Sequence, residues 1–240
     1  MYAYRFCRGE SIMSEIPVHI GYILDGNRRW AREHGLPKYE GHLAGYNAVQ
    51  EITRASFEAG VKYVSVFAFS TENWKRTEKE VSKLMGLLLR TLVSDLPTFQ
   101  ENDIRLRIIG SRERVSDKIV TAIEKAEAET ADNSSGDFII CFNYGGELEV
   151  VDAVKKIVQS GVDSEEITSE LIAKNIYAPD IPQCDLIVRT SGEKRLSGFM
   201  LWRAAYAELL FLDKNWPEMT KDDVTDILET YAQRQRRFGS

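Results

Sequence analysis

The 240-residue sequence carries four short clusters in which amide, hydroxyl, carboxylate or guanidinium side chains sit beside glycine or one another. The first is Asp25-Gly26-Asn27-Arg28-Arg29-Trp30 and the second Ser70-Thr71-Glu72-Asn73-Trp74-Lys75-Arg76. Asn143-Tyr144-Gly145-Gly146 is the third, and Arg189-Thr190-Ser191-Gly192-Glu193-Lys194-Arg195-Leu196-Ser197 the fourth. Their chemistry suits diphosphates. Asp25 supplies a hard oxygen for Mg²⁺, an ion usually held by one or two carboxylates together with phosphate oxygens. Gly26 lets backbone approach a ligand closely, and a helix opening at Asn27 to Arg29 would aim free N–H groups at a phosphate. Arg189 and Arg195 offer guanidinium forks, and Ser197 a hydroxyl, for a second anion. Taken singly, each of these residues reads as a salt bridge or a turn.

The surrounding elements decide between the two readings. Apolar runs at 18–24, 61–69, 104–109, 138–144 and 186–188, with a sixth at 209–212, read as strands separated by helical patterns. Leu43, Tyr46, Val49 and Ile52 recur at three-residue steps in one such helix, which Gly60 stops. Strands alternating with helices of this length imply crossover connections and a mainly parallel sheet covered by helices on both faces. Ligands of such sheets bind beyond the carboxyl ends of the strands. All four polar clusters fall there, so an anion site is the better reading. Thr77-Glu78-Lys79-Glu80 is a capping-box pattern that opens a long helix to about Asn102, bent or ended by Pro97. Residues 81–96 of that helix are apolar nearly all round, as expected of a buried helix or of one wall of an apolar cavity.

Composition narrows the function classes. A net charge of −6 argues against a nucleic-acid binder, while the local arginine groups suit a bounded anion site. No apolar run approaches membrane-spanning length, and the first residues lack a signal core, so a cytoplasmic protein with at most peripheral membrane contact is expected. The three cysteines are isolated and form neither a metal motif nor a disulfide framework, and the three histidines lie at unrelated positions. Residues 1–15 read as a flexible extension, and 16–240 as one catalytic domain.

The segments HIGYILDGNRRWA, GHLAG, FAFSTENWKR, NYGG, RTSGEKRLSGFMLW, AYAEL and RQRRFG, in this order, resemble the cis-prenyltransferase family, of which undecaprenyl diphosphate synthase is the best-known bacterial type. The resemblance runs from about His19 to Gly239. It implies an α/β domain with an apolar tunnel and a Mg²⁺-dependent condensation of isopentenyl diphosphate onto an allylic diphosphate, with farnesyl diphosphate the expected primer and undecaprenyl diphosphate, a cell-wall carrier lipid precursor, the expected product. Asp25 falls on the family's metal-binding aspartate. Gly26, Asn27, Arg29, His42 and Arg76 fall on its allylic diphosphate site, with Arg28, Trp30 and Lys38 in the flanking segments. Asn73 and Trp74 fall on a mobile segment beside the reacting centre, with Phe69, Ser70 and Thr71 next to them; Asp25 and Asn73 are the catalytic candidates. Arg189, Arg195 and Ser197 fall on the isopentenyl diphosphate site, and Glu208 on a second metal-associated carboxylate. The resemblance also implies a homodimer in which Arg237-Phe238-Gly239 completes the partner's site.

Four positions depart from the commoner family pattern: Arg28, Lys38 (which keeps the charge of an arginine without its fork), Glu147 and Gly198. Before Phe69, the small Ala68 suits a long tunnel; before Asn143, the bulky Phe142 would narrow it. Asp222-Asp223-Val224-Thr225-Asp226 matches the DDxxD signature of all-helical prenyl synthases, but Thr220 three residues before Asp223 reads as a helix cap with an acidic first turn. Two other functions compete. A catalytically silent partner subunit would lack the motif aspartate and several of the arginines present here. A nucleotide-binding α/β protein would need a phosphate-binding glycine motif that follows none of the strands.

Overall fold

The computed structural model describes residues 16–234. All six apolar runs form strands: β1 His19–Ile23, β2 Tyr63–Ser70, β3 Ile104–Ile109, β4 Gly136–Tyr144, β5 Leu186–Arg189 and β6 Glu208–Phe211. They make one parallel sheet in the order β3-β4-β2-β1-β5-β6. From β1 the chain continues toward β2 on one side, whereas from β5 it continues to β6 on the other. The boundary between β1 and β5 is therefore the topological switch point, where loops diverge and leave a crevice.

Alternation along the strands divides the core in two. Ile20, Tyr22, Val64, Val66, Leu106, Ile108, Phe138 and Ile140 face one side. That side is covered by α2 (Lys38–Glu58), α3 (Glu78–Leu89), α5 (Asp117–Glu129) and α8 (Lys221–Ala232). Ile139, Cys141 and Ile187 face the other side, where Ile181, Phe199, Met200 and Ala204 bury them. This second cover is largely non-helical, in contrast to the two helical layers expected. It is braced by α6 (Gly146–Gln159), from which Glu149 forms a fully buried ion pair with Arg203 at 2.8 Å and accepts a hydrogen bond from Tyr144. The short helix α7 (Ser169–Asn175) packs on α6.

The long helix expected after Thr77 starts where its cap predicts, with the Thr77 hydroxyl accepting from the Glu80 N–H. It does not run unbroken. α3 ends at Leu89, a π turn spans Arg90–Ser94, and α4 resumes over Leu96–Glu101. The wide turn is closed by the Asp95 N–H donating to the Arg90 carbonyl at 3.1 Å. Pro97 supplies the cause: it lacks an N–H and its ring crowds the carbonyl four residues back, so the ladder opens just before it.

Candidate active site in the crevice between β1 and β5

Asp25 follows β1, and its carboxylate accepts from the Arg189 guanidinium at the end of β5, 2.8 Å away. Its other oxygen accepts from the Gly26 N–H at 2.8 Å. Gly26 has φ 102, and a Cβ there would lie 2.6 Å from the Asn215 side-chain oxygen, so both conformation and space demand glycine. α1 (Asn27–Glu33) starts immediately after it. Arg29 reaches from α1 across the crevice and donates to the Ser191 carbonyl and hydroxyl, each at 2.6 Å. Arg189 is almost fully buried and donates to Ser197 Oγ at 2.9 Å and to the Arg195 carbonyl, which ties the following loop to the strand end. That loop is strained: Ser191, Ser197 and Met200 all have positive φ, each at a cost of about 1–3 kcal/mol. Gly198, where the family more often has Asn or Asp, also has positive φ (81°), a conformation that all three residue types tolerate, and its carbonyl accepts from the Gly146 N–H.

A second group of predicted residues gathers across α2 and the start of α3. His42 Nε2 and Arg76 both bond to Glu80, at 3.2 and 3.1 Å. Burial holds the His42 pKa below its ordinary value, and the nearby Arg76 and Arg28 charges act in the same direction. Arg28 itself is exposed on α1. Trp30 is half-buried and stacks on His34 at 4.4 Å. Lys38 is exposed at the first position of α2.

The segment after β2 forms a 3-10 turn over Thr71–Lys75. The Ser70 N–H donates to the Asn73 side-chain oxygen at 3.2 Å, and the Thr71 hydroxyl donates to Glu72 at 3.0 Å. Trp74 packs edge-on against Phe69 at 5.1 Å, lies under the Arg114 guanidinium, and donates its indole N–H to Asn143 at 2.7 Å. Behind this turn is a cavity of about 170 Å³. Asn27, His42, Asn73 and Arg76 line its polar end; Leu84, Leu87 and Leu88 of α3 and Phe138, Ile140 and Phe142 of β4 line the rest. The apolar helix is thus a cavity wall, and Ala68 and Phe142 both border that space, as expected.

Some expectations fail. Glu208 is not brought to Asp25. It opens β6 opposite Leu186, three residues below Arg189 and hence about 10 Å down the strand. Its carboxylate pairs with Arg234 at 2.8 Å, so this chain does not join the two carboxylates around one metal. Arg237 and Gly239 lie outside the described residues, as does the extension 1–15. Asp222, Asp223 and Asp226 lie on α8, where Thr220 and Asp223 form the expected capping box and Asp223 pairs with Lys214 at 2.7 Å.

Two carboxylates were missed. Glu80 bridges His42 and Arg76, and Glu193 bridges Arg29 at 3.4 Å and Arg195 at 2.5 Å. Each holds two cationic or hydrogen-bonding candidates together, much as a phosphate would. Glu80 lies one helical turn from Arg76, a spacing that could have pointed to it. Asn215 was invisible locally, since it arrives after β6 to seat Gly26.

The fold and site define an α/β protein with an arginine-lined crevice opening beside an apolar cavity. The chain belongs to the prenyltransferase family described as putative undecaprenyl diphosphate synthase, whose family model matches residues 23–239. It is 45% identical to the isoprenyl transferase of Neisseria meningitidis serogroup B, covering 93% of this chain and 90% of that protein. It is 42% identical to that of Thermotoga maritima, covering 93% and 97%. Two solved structures share the fold, each with 31% sequence identity. Lavandulyl diphosphate synthase from Lavandula x intermedia, in complex with dimethylallyl diphosphate, superposes with a TM-score of 0.90 over 94% of this chain and 99% of that one. A probable undecaprenyl diphosphate synthase from Campylobacter jejuni superposes at 0.80 over 95% and 100%.

Proposed function

We propose that this prenyltransferase elongates farnesyl diphosphate with isopentenyl diphosphate to a cis-polyprenyl diphosphate of undecaprenyl length, a precursor of cell-wall carrier lipid. The observation that carries the reading is adjacency: a crevice with Asp25, Arg29, Arg189, Arg195 and Ser197 opens beside a cavity that is polar at His42, Asn73 and Arg76 and apolar beyond. One part suits two diphosphates and the other a hydrocarbon.

In this mechanism the allylic diphosphate lies over Gly26 to Arg29 with His42 and Arg76, and isopentenyl diphosphate lies against Arg189, Arg195 and Ser197. The isopentenyl double bond attacks the allylic carbon, the carbon–oxygen bond breaks toward the diphosphate, and loss of a proton leaves a cis double bond. Arginines aimed at the departing diphosphate stabilise the charge developing in the transition state. Holding both substrates supplies the orientation term. Asn73, beside the polar end of the cavity, orients the reacting ends. Asp25 suits a single Mg²⁺: its carboxylate is 36% exposed at a strand end, and one carboxylate with diphosphate oxygens is an ordinary set for this ion. Bound there, the metal would supply Lewis-acid neutralisation of the leaving group.

β6 is an edge strand that exposes Leu209, and Tyr206 just before it is 75% exposed, which supports a homodimer. Among the described residues no helix is long and apolar enough to cross a membrane, consistent with the cytoplasmic setting we propose. Incubation with Mg²⁺, farnesyl diphosphate and labelled isopentenyl diphosphate tests the proposal. A metal-dependent ladder ending at undecaprenyl length is expected. No incorporation by folded protein with any allylic primer would point instead to the silent partner subunit.

A further inference from the structure

The two lips of the β1–β5 crevice are bridged by a segment that neither strand supplies. Lys214-Asn215-Trp216 follows β6 and bonds to both sides. On the β5 side the Lys214 carbonyl accepts from the Ser191 N–H at 2.8 Å, and on the β1 side the Trp216 N–H donates to the Asp25 carbonyl at 2.9 Å. Asn215 between them is 7% exposed, and its own N–H donates to the Glu218 carboxylate at 2.9 Å, so the short turn that follows fixes it in place.

The Asn215 side chain closes a circuit of hydrogen bonds. Arg29 Nη1 donates to Ser191 Oγ at 2.6 Å. A guanidinium cannot accept, so the one hydroxyl proton of Ser191 goes on to the Asn215 side-chain oxygen at 3.2 Å. Asn215 Nδ2 then donates to Glu33 at 3.0 Å, and Glu33 lies on α1 one turn beyond Arg29. The carboxylate only accepts, which fixes the orientation of the amide, and every donor points the same way round the circuit. Bonds aligned in this manner polarise one another. The Arg29 side chain is long and 41% exposed, and without the circuit it would sample many rotamers. The same amide oxygen also meets Gly26, where a Cβ would lie 2.6 Å from it.

We propose that Asn215 is a positioning residue for the allylic diphosphate: through Ser191 it presets the Arg29 guanidinium, and by direct contact it seats the Gly26 turn. The inference rests on the proposed function, in which Gly26 to Arg29 receive that diphosphate, and it adds a residue from outside the four polar clusters. The isopentenyl half of the site is tied separately, because Arg189 bonds Ser197 and the Arg195 carbonyl directly. Asn215 variants therefore separate the two substrates.

Steady-state kinetics and equilibrium binding test the role. Asn215→Ala raises the KM for farnesyl diphosphate about tenfold, as loss of a hydrogen bond in a charged network does, while kcat and the KM for isopentenyl diphosphate stay within about twofold. A non-cleavable thio analogue of farnesyl diphosphate, titrated with Mg²⁺ and without isopentenyl diphosphate, binds about tenfold more weakly. Asn215→Asp keeps the acceptor for Ser191 but turns a second carboxylate on Glu33, and it weakens binding as much. Adding Glu33→Gln to Asn215→Asp restores a donor in the reverse direction and returns the affinity to within about twofold of native. Adding Glu33→Gln to Asn215→Ala restores nothing. Equal gains from Glu33→Gln in both backgrounds would make it a charge effect and overturn the circuit. Native affinity in Asn215→Ala overturns the proposal, as does an equal rise in KM for both substrates. If the native protein binds the analogue yet elongates nothing, the elongation reading fails and Asn215 is judged on binding alone. A native protein that does not bind the analogue overturns the inference.

Discussion

The two sides of the sheet's carboxyl edge are built on different principles. Between β1 and β5, the site draws on a strand end, the start of α1 and two loops, tied together by arginine hydrogen bonds: Arg189 to Asp25, Arg29 to Ser191, Arg189 to Ser197. Between α2, α3 and β4, it is made mostly of apolar side chains around a cavity, with Asn27, His42, Asn73 and Arg76 at its polar end and Tyr46 and Thr91 also on its wall. In the proposed function the first part holds its donors already in place, which is how developing charge is best met. In the proposed function the second accepts chains of many lengths, which a fully filled core would forbid. The proposed function gives rate to the crevice and product length to the cavity.

Breaking the crevice has the largest expected effect. Asp25→Asn should lower kcat about a thousandfold, roughly 4 kcal/mol of transition-state stabilisation, in steady-state assays, while residual products keep their length distribution. A control lies at the other end of β1. His19 is buried with its pKa pushed down to about 4, chiefly by burial, and its ring bonds Ser65 at 2.7 Å and the Pro182 carbonyl at 3.0 Å. Above pH 6.5 this residue is neutral in both the folded and unfolded states. As the pH falls from 6.5 to about 4, only the unfolded chain gains the proton, and folding stability falls by about 3 kcal/mol over that window. Denaturant titrations across this range should show His19→Gln losing that much of the acid slope; an equal slope in both proteins refutes the assignment. The smallest effect in free energy sharpens the other half of the comparison. Leu84→Trp or Leu88→Trp, on the α3 wall, should shorten the products by several isoprene units on extraction and sizing, and unchanged lengths would remove that wall from the chain path.

The crevice was legible in the sequence because four of the six strands, β1 and β5 among them, end in a compact run of polar residues, and strand ends are where such sheets bind ligands. Asp25, Arg29, Arg189 and Ser197 came together as expected. Glu208 was named only because the family resemblance implies a metal-associated carboxylate there, and in this chain the β5–β6 register puts it opposite Leu186, at the other end of the strand from Arg189. Glu80 and Glu193 went unread since a carboxylate among arginines looks like charge balance. The cavity wall was legible as a helix apolar on too many sides. Its π turn was not, because Pro97 announces a break without saying how the turn before it rearranges, and the Tyr46–Asp95 contact spans 49 residues.

The central claim, a diphosphate clamp in the β1–β5 crevice serving a chain that runs between α2 and α3, is tested most directly by a crystal structure with Mg²⁺ and a non-cleavable thio analogue of farnesyl diphosphate. The account predicts the diphosphate over Gly26 to Arg29 beside Asp25, with the farnesyl tail entering past Asn73 and ending against Leu84, Leu88 and Phe142. A tail lying outside that cavity, or a diphosphate bound away from Asp25 and Arg29, would contradict it.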